Sequence, residues 1–126
     1  MDFSEIKTIA VVGLSSDTDK PSNGVASYLQ QNDFDIIPVN PKEKEILGEQ
    51  CYPDISSIPS DVKIDVVDIF RPSDQVMSCV QDAISRKPKV IWMQKGIANE
   101  EAKKLAEAAG IEVVMDKCIK IEHSKS

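Results

Sequence analysis

The sequence predicts an α/β fold in which a doubly wound, parallel five-stranded sheet is covered by helices on both faces, as three α/β/α layers. Short apolar runs rich in β-branched residues alternate with amphipathic segments along the 126 residues. Strands that alternate with helices form parallel sheets with right-handed crossovers. The length suits one domain with its own core, and we expect residues 1–126 to form it.

The first predicted strand and helix flank a glycine turn. Ile9–Val12 is typical of a buried strand and ends at Gly13. After a polar loop, an amphipathic helix begins at Pro21 and ends near Asn32–Asp33. Backbone N–H groups at a helix N-terminus lack partners and attract anions, so this turn predicts a phosphate loop. Ser15 replaces the second glycine of the dinucleotide fingerprint, and a purely structural turn is the alternative.

The remaining elements follow in order along the chain. Four further strands are predicted by apolar runs, at Ile36–Val39, Val62–Phe70, Lys89–Met93 and Ile111–Met115. Lys42–Pro59 contains Pro and Gly residues, which interrupt helices and strands, and it is predicted to be loop with at most a short helical turn. Ser73 and Asn99 are the predicted N-caps of the second and third helices. Leu105 is expected on the buried face of the third helix.

The segments that follow the first four strands carry positive charge. They are Gly13–Lys20, Val39–Lys42, Ile69–Pro72 and Gln94–Gly96, and their cations are Lys20, Lys42, Arg71 and Lys95. Doubly wound sheets bind ligands at the carboxyl ends of their strands, so these segments are expected to converge on one crevice. In a protein of net charge -6, this clustering predicts a polyanionic ligand about the size of a nucleotide.

The end of the second strand indicates which nucleotide. NAD binding favours an acidic residue there for the ribose 2′-hydroxyl. The sequence has Asn40, Pro41 and Lys42 instead. A lysine suits an extra ribose phosphate, as in NADP or coenzyme A, although a surface lysine in a loop is the alternative.

Composition excludes several classes of function. The acidic charge and the lack of a basic stripe exclude nucleic acid as an expected partner. No apolar run approaches the roughly 18 residues of a membrane span, and the N-terminus does not resemble a signal peptide. The three separated cysteines indicate reduced thiols and a cytoplasmic location.

Chemistry-bearing residues are sparse. His123 is the single histidine and is expected to be a solvated tail residue, so no metal site is predicted. Asp65 and Asp68 are expected to be polar strand-end positions, because residues three apart on a strand face opposite ways. Without a paired nucleophile and base, no catalytic residue is expected and the chain is not expected to be an enzyme.

At these residues the chain resembles the small CoA-binding protein family. Its members are single Rossmann-like domains similar to the CoA-binding domain of the succinyl-CoA synthetase α-subunit. The matching pieces cover nearly the whole chain in order: Val11–Ser15, Lys20–Ser22, Ile37–Pro41, Leu47–Glu49, Asp68–Pro72, Trp92–Ile97 and Val113–His123. The combination is specific to the family, although each piece alone is weak.

The resemblance implies a Rossmann-like fold with coenzyme A bound at the strand ends. It places Gly13–Ser16 and Lys20–Ser22 at the phosphates and Phe70–Pro72 beside the adenine. Val39, Pro41 and Lys42 would flank the adenosine and its 3′-phosphate, and Met93–Lys95 the pantetheine arm. The implied CoA-binding residues are Gly13, Leu14, Ser15, Ser16, Lys20, Pro21, Ser22, Val39, Asn40, Pro41, Lys42, Phe70, Arg71, Pro72, Met93, Gln94 and Lys95.

Three functions follow from these residues. The first is binding of CoA or an acyl-CoA without chemistry of its own. The second is an NADP-dependent oxidoreductase-like domain that uses the same turn and the same lysine. The third is the detached CoA-binding subunit of an acyl-CoA ligase, whose catalytic chain would be a partner. Cys118, near the end of the fifth strand, is either a structural cysteine or a residue that reaches the CoA thiol.

Overall fold

A five-stranded parallel sheet with strand order β2-β1-β5-β6-β7 forms the centre of the computed structural model, which describes residues 1–126. Its strands are β1 (Thr8–Val12), β2 (Asp35–Val39), β5 (Val66–Ile69), β6 (Val90–Met93) and β7 (Glu112–Val114). A separate two-stranded hairpin consists of β3 (Glu45–Ile46) and β4 (Glu49–Gln50). The chain winds outward from β1 in two directions, which confirms the predicted doubly wound sheet.

Four α-helices cover the sheet, two on each face. They are α1 (Pro21–Gln31), α2 (Val76–Ile84), α3 (Glu100–Ala108) and α4 (Ile119–Ser124). Short 3₁₀ turns span Phe3–Glu5, Ile55–Ser57 and Ser73–Gln75. Buried residues of α2 and α3 belong to one apolar cluster, and those of α1 and α4 belong to the other. The three-layer arrangement is therefore confirmed.

Neighbouring residues of the central strands pack on opposite faces. In β5, Val66 belongs to the cluster under α1 and α4, whereas Val67 and Ile69 belong to the cluster under α2 and α3. This alternation follows from the period of two along a strand. Because helices cover both faces, the central strands read as nearly continuous apolar runs.

The hairpin lies within the segment predicted to be loop. Its two connecting residues, Leu47 and Gly48, both have positive φ, at 54° and 77°. Two positive φ values are typical of the turn that matches hairpin twist. Tyr52 then pairs with β2, where Asn40 donates its backbone N–H to the Tyr52 carbonyl at 2.9 Å. Ile55 is buried in the apolar cluster under α2 and α3.

The helix ends agree with the sequence at one predicted cap and differ at the other. Asn99 caps α3 by accepting a hydrogen bond from the Ala102 N–H at 3.0 Å. Ser73 does not cap α2, because it lies inside a 3₁₀ turn and its hydroxyl accepts from the Ala98 N–H at 3.3 Å.

The predicted burial of Leu105 is wrong, because 39% of its surface is exposed. The buried residues of α3 are Ala102 and Ala106.

No helix combines the length and the apolar character that crossing a membrane requires.

Candidate functional site

The turn after β1 brings three strand ends together. Gly13 has φ 84°, and its N–H donates to the Val39 carbonyl at 2.9 Å. A Cβ placed on Gly13 would lie 2.4 Å from the Phe70 carbonyl oxygen. Only glycine combines this conformation with this close approach. The turn therefore fixes the ends of β1, β2 and β5 against one another.

The loop after Gly13 is held by its own polar side chains. The Ser22 hydroxyl accepts from the Ser15 N–H at 3.0 Å, and the Asn23 amide donates to the Ser15 carbonyl at 2.9 Å. The Ser15 hydroxyl in turn accepts from the Asp17 N–H at 3.0 Å. These contacts give the loop a defined shape and join it to the N-terminus of α1.

Several backbone donors of this loop have no partner inside the protein. They are the N–H groups of Leu14, Ser16, Thr18 and Ser22. Pro21 at the first position of α1 has no N–H to offer. Unpartnered N–H groups at a helix N-terminus are a physical basis for anion binding. The geometry therefore supports the phosphate loop that the sequence predicts.

Asn40 joins the end of β2 to this loop. Its side-chain amide donates to the Leu14 carbonyl at 2.9 Å, while its oxygen accepts from the Lys42 N–H at 2.8 Å. Ser16 makes a second link by donating its hydroxyl to the Glu43 carboxylate at 3.0 Å. These bonds set the position of the Lys42 backbone, while the Lys42 side chain remains exposed.

A crevice of about 680 Å³ opens beside these turns. We call it the strand-end crevice; it is lined by Val12, Gly13, Val39, Asn40, Pro41, Pro53, Asp54, Ile55, Arg71, Gln75, Ser78, Cys79, Gln81 and Asp82. Five of the predicted binding residues are among them: Gly13, Val39, Asn40, Pro41 and Arg71. The volume lies within the range of small-molecule sites in proteins.

Two walls of the crevice were not predicted from the sequence. One is the face of α2 and its preceding turn that carries Gln75, Ser78, Cys79 and Asp82. Spacings of three and four residues put these side chains on one helix face, opposite the apolar stripe, which is the signal that identifies them. The other wall is Pro53–Ile55, where Asp54 accepts three hydrogen bonds from Ser56 and Ser57. Hydrogen bonds from Ser57 and then Ser56 lower the pKa of the Asp54 carboxyl.

The four cations predicted at the strand ends are free of ion pairs. Arg71 is half-buried in the crevice and donates to the Gln75 amide oxygen, and Lys20, Lys42 and Lys95 are exposed. The ion pairs of the protein involve Lys63, Lys89, Lys125 and the N-terminal amine instead. Only Arg71 lines the crevice itself, while the three lysines extend from its surrounding loops.

Two of the three residues predicted beside the pantetheine arm have buried side chains. Met93 has no exposed surface and packs in the core under α2 and α3. Gln94 is 4% exposed, and its side-chain oxygen accepts from the Ile119 N–H at 3.1 Å, which holds the start of α4. Both side chains therefore contact the protein itself, Met93 in the core and Gln94 at the start of α4. Lys95 is the exposed residue of this segment.

The side chains of the other predicted binding residues lie around the crevice rather than in it. Leu14 is fully buried under α1, and Ser22 is 5% exposed because its hydroxyl holds the loop. Phe70 is half-buried against the cluster under α1 and α4, because the strand pleat turns it away from the crevice. Exposed residues of the surrounding loops complete the set: Ser16, Pro21 and Pro72.

Of the three thiols, those of Cys51, Cys79 and Cys118, only the Cys79 thiol lines the crevice. Burial raises the pKa of the Cys79 thiol, an effect that the nearby Arg71 guanidinium partly opposes. Cys118 is half-buried at the N-terminus of α4, where it packs against the apolar cluster under that helix. The position of Cys118 favours the structural alternative.

His123 is not a solvated tail residue, contrary to the expectation from the sequence. It is half-buried, its Nδ1 is 2.7 Å from the Tyr28 hydroxyl oxygen, and its ring contacts Phe3 and Phe34 edge-on. These aromatic partners come from distant parts of the chain. His123 thus joins α4 to α1, away from the crevice.

Of the two aspartates around β5, Asp65 lies at the strand end as expected, whereas Asp68 does not. Asp65 precedes β5 and accepts from the N–H groups of Lys7 and Thr8, at 2.9 and 3.0 Å. Asp68 lies inside β5, is fully buried, and neither carboxyl oxygen has a hydrogen-bond partner. Burial raises the pKa of the Asp68 carboxyl well above its ordinary value.

The sheet order and the crevice at the strand carboxyl ends define a Rossmann-like α/β domain. Residues 7–124 match the family model described as "CoA binding domain", and the chain belongs to this family.

The chain is similar to both small proteins and part of a larger enzyme. It is 39% identical over 118 residues to the uncharacterized protein YneT of Bacillus subtilis (strain 168), a match that covers 94% of this chain and 86% of that protein. A solved hypothetical protein from Pyrococcus horikoshii OT3 has a TM-score of 0.93 at 40% identity, covering 98% of this chain and 85% of the other. The match to acetate–CoA ligase [ADP-forming] I of Archaeoglobus fulgidus is 28% identical over 123 residues and covers 90% of this chain but 18% of the enzyme.

Proposed function

We propose that this chain binds coenzyme A or an acyl-CoA at the strand-end crevice and holds it without transforming it. The observation that carries the proposal is the set of cations at the strand ends, none of which is used in an ion pair within the protein. Coenzyme A has a pyrophosphate and a ribose phosphate. A polyanion of this kind needs several fixed positive charges and free N–H donors.

The two parts of the site fit different parts of this ligand. The free N–H groups of the loop after Gly13, together with Lys20, suit the pyrophosphate. The crevice offers an apolar floor at Val12, Val39 and Ile55 and polar groups on α2, which suits a purine base. Lys42, at the rim between the two, suits the 3′-phosphate.

Binding without catalysis is supported by the chemistry of the crevice residues. Cys79 carries the thiol of the crevice, and its raised pKa lowers the fraction of reactive thiolate. The Ser78 hydroxyl donates to the Gln75 carbonyl at 3.1 Å. The single histidine is committed to Tyr28 on the α1–α4 side. We therefore assign the crevice residues to ligand recognition.

A second candidate function is the detached CoA-binding subunit of an acyl-CoA ligase. The similarity to part of an ADP-forming acetate–CoA ligase favours it, because the chain spans 18% of that enzyme. Under both candidates, we expect the chain alone to form no ADP from acetate, ATP and CoA. Turnover by the purified chain would contradict both, and turnover that requires a second polypeptide would favour the subunit.

Calorimetric titration with CoA, 3′-dephospho-CoA and NADP tests the proposal. We expect CoA to bind more tightly than NADP, and ligand at a hundred times its Kd to add about 2.7 kcal/mol to the free energy of unfolding. Lys42→Ala should weaken the affinity for CoA by about tenfold or more, since one charge-assisted contact contributes about 1.5–3 kcal/mol in favourable sites. The affinity for 3′-dephospho-CoA should change little.

The matched control is Lys104→Ala, which removes an exposed lysine on α3. It should leave both affinities unchanged. Equal losses for CoA and 3′-dephospho-CoA on Lys42→Ala would remove Lys42 from the phosphate site. Equal or tighter binding of NADP would instead favour the oxidoreductase-like reading.

A further inference from the structure

Asp68 differs from every other buried polar side chain of the protein. Ser22, Asn23, Asp65 and Gln94 are each buried and each makes a hydrogen bond. Asp68 is 0% exposed, and both of its carboxyl oxygens lack a partner. An unpartnered buried acid destabilises a fold, so such a group calls for an explanation other than packing.

Asp68 lies in the middle strand of the sheet, close to the loop assigned to the phosphates. It pairs in register with Val11 of β1 and Trp92 of β6. Phe70 is two residues further along, which is about 7 Å at the rise of a strand. The Phe70 carbonyl is the group on which Gly13 packs.

Asp68 also faces the layer that contains this loop. Val66, two residues earlier, belongs to the apolar cluster under α1 and α4, as do Val11 and Trp92. The period of two along a strand puts the Asp68 side chain on that same face. The loop that joins β1 to α1 runs from Gly13, beside the Phe70 carbonyl, to the N-terminus of α1 in this layer.

The elements on this face offer Asp68 no ion-pair or hydrogen-bond partner. Their charged or titratable residues are Tyr28 on α1, Lys120, Glu122 and His123 on α4, Cys118 before it, Glu5 in the first turn, Glu45 and Glu49 in the hairpin, Cys51 after it, and Asp17, Asp19 and Lys20 in the loop. Tyr28 is paired with His123, and the Lys120 ammonium lies 5.4 Å from the Tyr28 ring centroid. None of these groups makes an ion pair or a hydrogen bond with Asp68.

Asp68 has no exposed surface, and the start of α4 is anchored to the neighbouring part of the sheet. The Trp92 indole donates to the Lys117 carbonyl at 2.7 Å, and Gln94 holds Ile119. Trp92 lies in β6, the strand next to Asp68, and Gln94 directly follows that strand. A charge in this buried layer would be poorly screened from anions bound at the loop above.

We propose that Asp68 is a proton-linked control site for polyanion binding: the ligand binds tightly while Asp68 carries a proton and weakly once Asp68 has ionised. The inference rests on the proposed function. When Asp68 ionises, its proton goes to bulk water, and the proton returns as the polyanion binds. Linkage makes the effect reciprocal, so bound polyanion favours the protonated carboxyl.

The test is CoA affinity measured by calorimetry across the whole range of pH in which the protein stays folded, for the wild type and Asp68→Asn. A charge about 10 Å away at an effective dielectric constant of about 20 changes affinity by about tenfold. We expect wild-type affinity to fall by that factor towards alkaline pH relative to Asp68→Asn. Asp65→Asn is the matched control, since Asp65 is buried but hydrogen-bonded at the opposite end of the strand, and it should follow the wild type.

Proton uptake on binding gives a second readout that needs no variant. Titration in buffers of different ionisation heats, above about pH 7.5 where the phosphates have lost their second proton, should show protons taken up per CoA bound. No uptake by the wild type overturns the inference, as does a parallel pH dependence in Asp68→Asn. Failure of the wild type to bind CoA at any pH overturns the proposed function instead. If Asp68→Asn does not fold, the wild-type uptake decides.

Discussion

Gly13 is the residue on which the geometry of the site depends most directly. Gly13→Ala would put a Cβ 2.4 Å from the Phe70 carbonyl oxygen on a backbone with φ 84°. The left-handed conformation alone costs a residue with a Cβ about 1–2 kcal/mol, and the clash adds to that. We therefore expect Gly13→Ala to lower the free energy of unfolding in urea by at least about 2 kcal/mol.

Gly24 supplies the matched control, because it lies inside α1 and a Cβ there would meet nothing within 4 Å. Gly24→Ala should stabilise the protein by about 0.5–1 kcal/mol, through the higher helix propensity of alanine. A Gly13→Ala variant as stable as the wild type would show that the turn does not need glycine.

At the residue scale, the sequence identifies backbone roles better than side-chain surroundings. Gly13 and Asn99 follow from local rules, and both predictions are confirmed by positive φ and by a cap bond. The prediction that His123 is solvated was wrong, because Phe3, Tyr28 and Phe34 contact its ring from distant parts of the chain. Local sequence carries no information about such partners.

At the scale of elements, the contribution of the Asn99 cap to the stability of α3 can be tested. Asn99→Ala removes the acceptor for the Ala102 N–H, which is then left without a partner in the first turn. Loss of an N-cap costs about 1 kcal/mol, so thermal and urea unfolding should show a loss of that size. Asn99→Asp keeps the acceptor and should retain most of the stability. Equal stability of Asn99→Ala and the wild type would contradict the role of the cap.

Sequence periodicity located all five sheet strands but missed the hairpin of β3 and β4. The strands of the sheet are buried on two faces, which forces long apolar runs. Each hairpin strand has two residues, three of the four are polar, and the turn is Leu47–Gly48 rather than the Asn-Gly that signals such a turn. The same long-range pairing places Pro53–Ile55 at the crevice, which explains why that wall was not predicted.

At the scale of the whole molecule, parallel topology accounts for the part of the site that was predictable. Carboxyl ends of parallel strands meet at one edge, so the Gly13, Asn40 and Arg71 loops had to converge. Topology does not determine how deeply each of these side chains is buried. Whether a strand-end side chain points into the crevice or into the core depends on the pleat, which buried Met93 completely.

The buried acid makes the stability of the whole molecule depend on pH. The pKa of Asp68 is raised well above its ordinary value of 3.8 by burial, so the folded state binds this proton more tightly than the unfolded state. The contribution of Asp68 to stability is therefore fully present below pH 3.8 and is lost as pH rises through the folded-state pKa. Carboxyls with lowered pKa, such as Asp2 and Asp54, act in the opposite direction.

Comparison with Asp68→Asn isolates this one group from the others. The unfolding free energy of Asp68→Asn minus that of the wild type should grow by about 1.4 kcal/mol for each pH unit above the ordinary carboxyl value, until the folded-state pKa is reached. The buried amide adds a constant offset but no slope. Urea unfolding at a series of pH values measures the difference without any ligand. Two parallel stability curves would show that Asp68 is already ionised in the folded protein, and the linkage of this proton to anion binding would then have no source.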